Sequence, residues 1–257
     1  MPNPDINELF SQTLVGHYDD DAPWEAVHAL RRTGSREIFE FASKWCSSPD
    51  PRSRARGVDV LAQLGKTAEH PTNSFPQEAY AIIASLLNDE KDIRALNSEI
   101  SALGHLDNPA AVPLVARYRS HPNADIRFSV AFALGAFPNE PQSVKNLLLL
   151  LDDADEEVRD WATFGLGTLG ESDSLEIREA LFHQLSDEND DVRQEAMAGL
   201  AKRGDQRVLP HLIQTLESPP VSDCIIEAAY QMLGMVSDRE DWGTEEYIAA
   251  LHTRFNC

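Results

Sequence analysis

Residues 156–170 read Glu156-Glu157-Val158-Arg159-Asp160-Trp161-Ala162-Thr163-Phe164-Gly165-Leu166-Gly167-Thr168-Leu169-Gly170. Small and apolar side chains recur in this stretch at spacings of three and four residues, which places them on one side of a helix. They are Val158, Ala162, Gly165, Leu166 and Leu169. Gly170 follows them, and a glycine is typical of a helix end. The stretch therefore predicts one amphipathic helix.

The same pattern returns along the chain, and residues 192–204 repeat it position for position. We call the residue equivalent to Val158 the anchor of each copy. A small or apolar residue follows each anchor at +4, and a pair of them at +7 and +8. The copy at Ile93 is the poorest, because Asn97 stands at +4 and the usual ending is displaced by two residues. The predicted anchors are Ala22, Ser53, Ile93, Ile126, Val158, Val192 and Ile225.

A second helix is predicted between successive anchors, so each repeat is a helical hairpin of about 32 residues. The turns are rich in Asp, Asn, Ser, Gly and Pro, as helix connections are. Several polar residues three positions before an anchor are predicted N-caps. These are Asp50, Glu90, Asn123, Asp155 and Asn189. The second helices are predicted at 36–45, 77–87, 110–118, 142–151, 175–185 and 208–216.

Stacking explains why such a chain folds, since one hairpin cannot bury its own apolar face while stacked hairpins share a continuous core. The prediction is an all-α fold, a right-handed α-solenoid of about seven helical hairpins. We expect a single solenoid over residues 1–257. Within it, residues 1–20 hold an N-terminal capping helix, residues 22–236 the repeats and residues 244–257 a C-terminal capping helix.

The charge balance limits the kind of partner. The formal net charge is −21, and residues 152–257 contribute −16 of it from 24 acidic and 8 basic side chains. Nucleic-acid binding depends on Lys and Arg contacts to phosphates, so the balance argues against it. A basic protein partner is compatible with the charge. The alternative is that the acidic surface serves solubility alone.

Composition also bears on location. No segment reaches the roughly 18 to 20 apolar residues of a membrane span, and the first residues lack the basic and apolar regions of a signal peptide. The three cysteines, Cys46, Cys224 and Cys257, are too few and too scattered for a disulfide framework. We therefore predict a cytoplasmic protein with free thiols and no membrane contact.

Signals for catalysis or metal binding are poor. The eight histidines form no His-x-x-x-His pair, and the chain has no Cys-x-x-Cys. Leu64-Gly65-Lys66-Thr67 has the end of a phosphate loop, but that motif needs a glycine at position 60, where Val60 stands. The sequence therefore predicts no enzyme, no catalytic residue, no metal site and no cofactor.

The repeat resembles a known family. Residues 155–167 spell Asp-x-x-Val-Arg-x-x-Ala-x-x-Gly-Leu-Gly, and a turn and a helix such as Arg207 to Ile213 follow the next copy. This phrase is similar to the HEAT-like repeat of the phycobilisome-lyase type, and the likeness covers about residues 22–236. The resemblance implies the solenoid fold. It says little about function, because such repeats serve many roles.

A narrower resemblance concerns roughly residues 47–235. The runs Val158 to Phe164, Glu176 to Leu185 and Val192 to Ala229 are similar to the HEAT-repeat proteins encoded beside Rhs polymorphic toxins in enterobacteria. That family implies an immunity protein, which binds and silences a toxin domain encoded by the adjacent gene. The alternatives are an enzyme or chaperone like the phycobilisome lyases, and a general scaffold for protein interactions.

A partner-binding surface is predicted on the concave side, which the anchor helices line in repeats of this type. Positions +2, +3, +6 and +10 from each anchor should face the groove. Aromatic residues at these positions, flanked by acids, are typical of a protein-binding hot spot. The alternative is that the register is wrong and the aromatic residues are core. The predicted binding residues are Trp24, His28, Phe128, Phe132, Asp160, Trp161, Phe164, Glu195, Glu227 and Gln231.

Arginines recur beside the anchors. They could form a ladder that binds an anion, or each could pair with a nearby acid and hold the stack together. Their fixed place beside a core residue favours the structural role. The arginines are Arg54, Arg94, Arg127, Arg159 and Arg193.

Overall fold

A computed structural model describes residues 5–234 and 242–256, and within these ranges the chain is all-α with no β-strand. The chain divides into two compact units, Met1–Ala136 and Phe137–Cys257. The predicted all-α fold is confirmed.

The first unit consists of eight helices within the described residues. Short 3₁₀ turns, Pro109–Ala111 and Ala116–Tyr118, flank the seventh. The helices are α1 (Ile6–Gln12), α2 (Asp21–Thr33), α3 (Arg36–Trp45), α4 (Pro51–Ala62), α5 (Pro76–Leu86), α6 (Ile93–Gly104), α7 (Val112–Val115) and α8 (Ala124–Gly135).

The second unit contains seven helices in the part that the structure describes. A π-helical turn, Gly165–Leu169, continues the helix of the opening stretch, and the helical residues end before Gly170, as predicted. The helices are α9 (Pro141–Leu150), α10 (Glu156–Phe164), α11 (Leu175–Gln184), α12 (Asp190–Lys202), α13 (Leu209–Leu216), α14 (Asp223–Met232) and α15 (Thr244–Phe255).

Even-numbered helices are the anchor helices, and they pack side by side. In the first unit α4 contacts α2 and α6, and α6 contacts α8; in the second unit α12 contacts α10 and α14. The odd-numbered helices pack against them, as α3 does on α4 and α11 on α12. Two helical layers therefore enclose each core, which is the arrangement of stacked hairpins. Five of the six predicted second helices agree with the observed ones to within one or two residues. The sixth, predicted at 110–118, is divided between the four-residue helix α7 and the two 3₁₀ turns that flank it.

Helix N-caps define the repeat register. The side chains of Asp50, Asn123, Asp155 and Asn189 accept hydrogen bonds from first-turn amides, as predicted. The predicted cap Glu90 is wrong, because Asp92 caps α6. The anchor lies three residues after each cap, so the prediction was displaced in two repeats. The anchors are Pro23, not the exposed Ala22, and Ala95, not the exposed Ile93.

Close approach of two helices explains the glycines in the repeat. Gly167, in the π-helical turn, lies against Gly199 of α12, and a Cβ added to Gly199 would lie 2.6 Å from the Gly167 Cα. The core itself is formed by the anchors and their +4 and +8 partners: Ile126, Val130, Val158, Ala162, Val192 and Ala196 are all fully buried.

The terminal predictions are met in part. The N-terminal helix α1 lies within residues 1–20 and packs on α2, while α15 lies within 244–257 and packs on α13 and α14. The predicted end of the repeats at residue 236 falls outside the described residues. No helix among the described residues has both the length and the apolar character needed to cross a bilayer.

Candidate functional site

The anchor helices of the second unit carry three of the predicted acids on one face. Asp160 is at the +2 position of α10, Glu195 at +3 of α12, and Glu227 at +2 of α14. Asp160 and Glu195 are half-buried, and Glu227 is exposed. Glu195 accepts a hydrogen bond from the Thr168 hydroxyl at 2.6 Å, and Thr168 belongs to the π-helical turn.

Burial and neighbouring acidic charges raise the pKa of two of these carboxylates. Burial raises the pKa of Asp160, and the charges of Asp191 and Glu157 raise it further. Burial also raises the pKa of Glu195, to which the Asp160 charge adds. The Cys224 thiol lies among them, and burial with the charges of Glu195, Asp160 and Glu227 raises its pKa to about 12. The face therefore holds concentrated negative charge, and neither Asp160 nor Glu195 forms an ion pair with a described residue.

An aromatic pair lies on the same face. Trp161 and Phe164 are both half-buried, and their rings meet edge to face with centroids 5.5 Å apart. On α14, Gln231 donates to the Glu227 carboxylate at 3.0 Å. We call Asp160, Trp161, Phe164, Glu195, Glu227 and Gln231 the acidic face. The structure brings these six predicted residues together on α10, α12 and α14 of one unit.

The other four predicted residues belong to the first unit. Trp24 and His28 lie on α2 with ring centroids 6.0 Å apart; Trp24 is half-buried and His28 is exposed beside α1. With Pro23 as the anchor they stand at +1 and +5, not at the predicted +2 and +6. Phe128 and Phe132 on α8 are half-buried, and Phe132 meets the His105 ring at 5.0 Å. None of the ten predicted residues is a fully buried core side chain.

Several residues at positions predicted to face the groove are buried instead, including Ala55, Ser129, Ala198 and Ala228, and two of the buried ones are charged. Arg56 is fully buried and Asp59 is 7% exposed. The reason is Tyr18, in the turn before α2, which covers them. Its hydroxyl donates to the Asp59 carboxylate and lies 2.9 Å from the Ser98 hydroxyl. Arg56 Nη1 reaches Asp59 at 3.2 Å, with its guanidinium 3.7 Å from the Tyr18 ring centroid. A turn that is distant in sequence thus buries Arg56 and Asp59, and together with Tyr18 they form a polar network.

The sequence-based prediction missed Tyr18, Arg31 and Ser98 of this network. It also missed His105, whose ring lies against Phe132. The N-cap offers a signal for two of them. With Ala95 as the anchor, Ser98 falls at +3 and His105 at +10, which are predicted groove positions. Tyr18 and Arg31 have no equivalent signal, because the contact of Tyr18 spans 41 residues of sequence.

The arginines beside the anchors hold the stack together. Each of four donates through Nη1 to the carbonyl oxygen six residues earlier, at 2.6 to 2.9 Å. Arg159 also binds the Asp187 carboxylate with two bonds of 2.7 and 2.9 Å, and Arg54 binds Glu90 likewise. The structural role is confirmed for Arg54, Arg127, Arg159 and Arg193. Arg94 is not equivalent, since it contacts Asp19 and the Tyr18 ring.

The described residues contain no cluster suited to a metal ion, and their cysteines are free thiols. Within residues 5–234 and 242–256, no three His, Cys, Asp or Glu side chains are placed to hold a metal ion. Cys46 and Cys224 are free thiols, Cys46 being buried, and Cys257 lies outside the described residues.

Comparisons with known proteins agree with this architecture. Protein YibA of Escherichia coli K12 is 29% identical over 232 residues, covering 88% of this chain and 80% of YibA. The X-ray structure of E. coli YibA matches with a TM-score of 0.71 at 23% identity, over 96% of this chain and 92% of that one. A designed armadillo repeat protein, solved in complex with the peptide (KR)4, matches with a TM-score of 0.53 at 16% identity, over 76% of this chain and 98% of that one.

The repeat family follows from a sequence match over most of the chain. The family model for HEAT repeats matches residues 82–167 and 144–234, which together exceed half of the sequence. The protein belongs to the HEAT-repeat family.

Proposed function

We propose that this protein is a non-catalytic binding protein whose acidic face takes a basic segment of a protein partner. One observation carries the proposal: two half-buried carboxylates on neighbouring helices, Asp160 and Glu195, pair with no basic side chain of a described residue. Burial raises the pKa of both, and the Asp160 charge adds to the rise at Glu195. A Lys or Arg side chain from a partner would relieve this repulsion and gain charge-assisted hydrogen bonds.

The aromatic pair supports a protein partner over a small cation. Trp161 and Phe164 offer apolar ring surface beside the acids, and Trp can also stack on a guanidinium group. Aromatic anchors with a charged rim are the usual composition of binding hot spots. A similar fold is known with a basic peptide, since the designed armadillo repeat protein was solved in complex with (KR)4.

The partner in this proposal is a toxin domain encoded by the adjacent gene, and the protein acts as its immunity protein. This part rests on the similarity of residues 47–235 to the HEAT-repeat proteins of Rhs toxin loci. The second unit carries 25 acidic and 9 basic side chains, a net −16, which suits a basic toxin surface. Binding there would cover the toxin's active region and block its substrate.

Co-expression tests the proposal. Cells producing the adjacent gene's product should be protected by this protein, and the two should co-purify. The Asp160→Asn and Trp161→Ala variants should lose both properties while their melting temperatures stay near that of the wild type. Glu176→Gln, an exposed acid on α11, is the matched control and should protect fully. Absence of both protection and co-purification would rule out the immunity role.

A further inference from the structure

A cavity of about 150 Å³ opens on the anchor helices of the first unit. Three helices line it: α2 provides Trp24 and Arg31, α4 provides Asp59 and Gln63, and α6 provides Ser101 and His105. At about 30 Å³ for each water in the liquid, the volume equals roughly five water molecules. The cavity therefore has room for a group the size of one short side chain.

Its inner wall is held rigidly. Arg31, only 8% exposed, donates Nε and Nη2 to the Asp59 carbonyl oxygen at 2.9 and 2.8 Å. Neither bond uses Nη1, so donors remain on a guanidinium that lines the cavity. The Trp24 ring packs beside it, 5.5 Å from the Arg31 guanidinium carbon and 4.8 Å from that of Arg56. Contacts within the protein thus hold Arg31, Arg56 and the Trp24 ring in place without a ligand.

The local charge is positive, in contrast to the whole protein. Arg56 binds the Asp59 carboxylate, while Arg31 binds the Asp59 carbonyl oxygen. Two guanidinium groups therefore lie beside one carboxylate, and the network keeps an excess of positive charge even when Asp59 is ionised. His105 is neutral, because burial and the charges of Arg31 and Lys66 lower its pKa to about 4. The Asp107 carboxylate opposes that shift and pairs with Lys66 at 3.2 Å.

Polar groups on the cavity wall have unused hydrogen-bonding capacity. The side chains of Gln63, Ser101 and His105 make no hydrogen bond to another described residue. An amide and a hydroxyl supply donors, and a neutral imidazole supplies one more. Together with Arg31 Nη1 they surround a space that a polar ligand can fill.

We propose that this cavity binds a single carboxylate group, with Arg31 as its charge partner and Trp24 against its aliphatic stem. The excess positive charge matches a monoanion, and the neutral donors complete the coordination of two carboxylate oxygens. A phosphate dianion would need more cations than the cavity offers. The carboxylate belongs either to a free small acid or to an Asp or Glu side chain of a protein.

NMR titration of the full chain with glutarate monomethyl ester (hereafter glutarate), which carries one carboxylate, tests the site. The Trp24 indole N–H and the His105 ring resonances should shift together and saturate in the millimolar range, about 1 mM. Arg31→Gln should weaken binding at least tenfold, because a charge-assisted bond is lost. Arg36→Gln is the control, since that exposed arginine pairs with Glu78 far from the cavity.

A second variant tests the site independently, in case Arg31→Gln does not fold. Ser101→Leu fills the cavity while leaving the Arg31 contacts in place, and it should abolish the glutarate shifts without changing the helical circular dichroism spectrum. A blocked tripeptide with a central Glu distinguishes the sources: tighter binding than glutarate indicates a protein side chain, and weaker binding indicates a free acid. Absence of saturable shifts, retention of binding in Ser101→Leu, or tighter binding of inorganic phosphate would overturn the proposal.

Discussion

Glu99 occupies a position where the other repeats have small or apolar residues. It stands four residues after the anchor Ala95, and its side chain is fully buried with neither carboxylate oxygen hydrogen-bonded to a described residue. Burial raises its pKa to about 8; the Glu90 charge adds to the rise, and Arg54 opposes it. The equivalent residues are Val27, Gly57, Val130, Ala162, Ala196 and Ala229.

The raised pKa predicts a pH-dependent stability. Because the folded state holds the proton more tightly than the unfolded state, the favourable contribution of Glu99 is complete below about pH 4.5 and is lost as pH rises towards 8. The slope from this one group approaches about 1.4 kcal/mol per pH unit inside that window. Glu99→Gln should remove this part of the slope, measured by urea unfolding from pH 4.5 to 9.

Other groups titrate in the same range, so the informative quantity is the difference between variant and wild type. Glu37→Gln, an exposed carboxyl on α3, is the matched control and should leave the wild-type slope unchanged. Parallel curves for Glu99→Gln and wild type would show that the Glu99 carboxyl does not titrate abnormally.

Most helices could be predicted from sequence because each carries its own local signals. The caps Asp155 and Asn189 and the apolar spacing after them gave α10 and α12 correctly. The predicted register is wrong at α2 and α6. Ala22 and Ile93 have residue types that suit an anchor, but they do not lie three residues after the cap. Counting three residues from Asp20 and Asp92 gives the buried Pro23 and Ala95.

The candidate site was predictable where it follows the repeat and not where it departs from it. Asp160, Trp161 and Glu195 lie on the acidic face because their positions follow from a correct register. The cover that Tyr18 places over Arg56 and Asp59 depends on a turn outside the repeat pattern. Periodicity within helices contains no information on such a contact.

Contact between α12 and the π-helical turn gives a prediction for packing. A Cβ on Gly199 would lie 2.6 Å from the Gly167 Cα, and one on Gly167 would lie 3.0 Å from the Glu195 carbonyl oxygen. Alanine normally stabilises a helix interior by roughly 0.5–1 kcal/mol over glycine. We expect Gly199→Ala to lose about 1–3 kcal/mol instead, because overpacking outweighs that gain. Urea unfolding measures the change.

Alanine substitution should destabilise the protein to different extents at the two glycines. Gly167→Ala should cost less than Gly199→Ala, because its closest added contact is longer. Equal or increased stability of Gly199→Ala would mean that α12 and the π-helical turn are not in close contact.

At the scale of the whole chain, charge is divided unevenly between the two compact units. The first carries a net −5 and the second a net −16. Like charges at this density repel and oppose compaction, and salt screens them over about 10 Å at 0.1 M. The negative charge that suits the second unit for a basic partner therefore also reduces the stability of that unit.

Hydrogen exchange of the full chain tests this cost. Raising NaCl from about 0.01 to 0.3 M shortens the screening length from about 30 Å to well below 10 Å. Amide protection should then rise more for residues 137–234 than for residues 5–136. An equal rise in both units, or a larger one in the first, would show that repulsion does not limit the stability of the second unit.

The HEAT framework repeats the same buried positions, while the residues between them differ from one unit to the other. In the second unit these residues form the acidic face, and in the first they form the covered network of Tyr18, Arg56 and Asp59. Binding specificity in our account belongs to the varied positions and stability to the repeated ones.

Calorimetric titration of the full chain with the peptide (KR)4 tests this account most directly. We predict measurable binding at low salt that weakens as salt rises. The Asp160→Asn/Glu195→Gln variant should lose about tenfold or more in affinity. The Glu176→Gln/Glu217→Gln variant, which removes the same charge from exposed positions of α11 and the end of α13, should change it by less than about twofold. Equal losses in the two variants would contradict a defined binding face, leaving net charge as the source of the attraction.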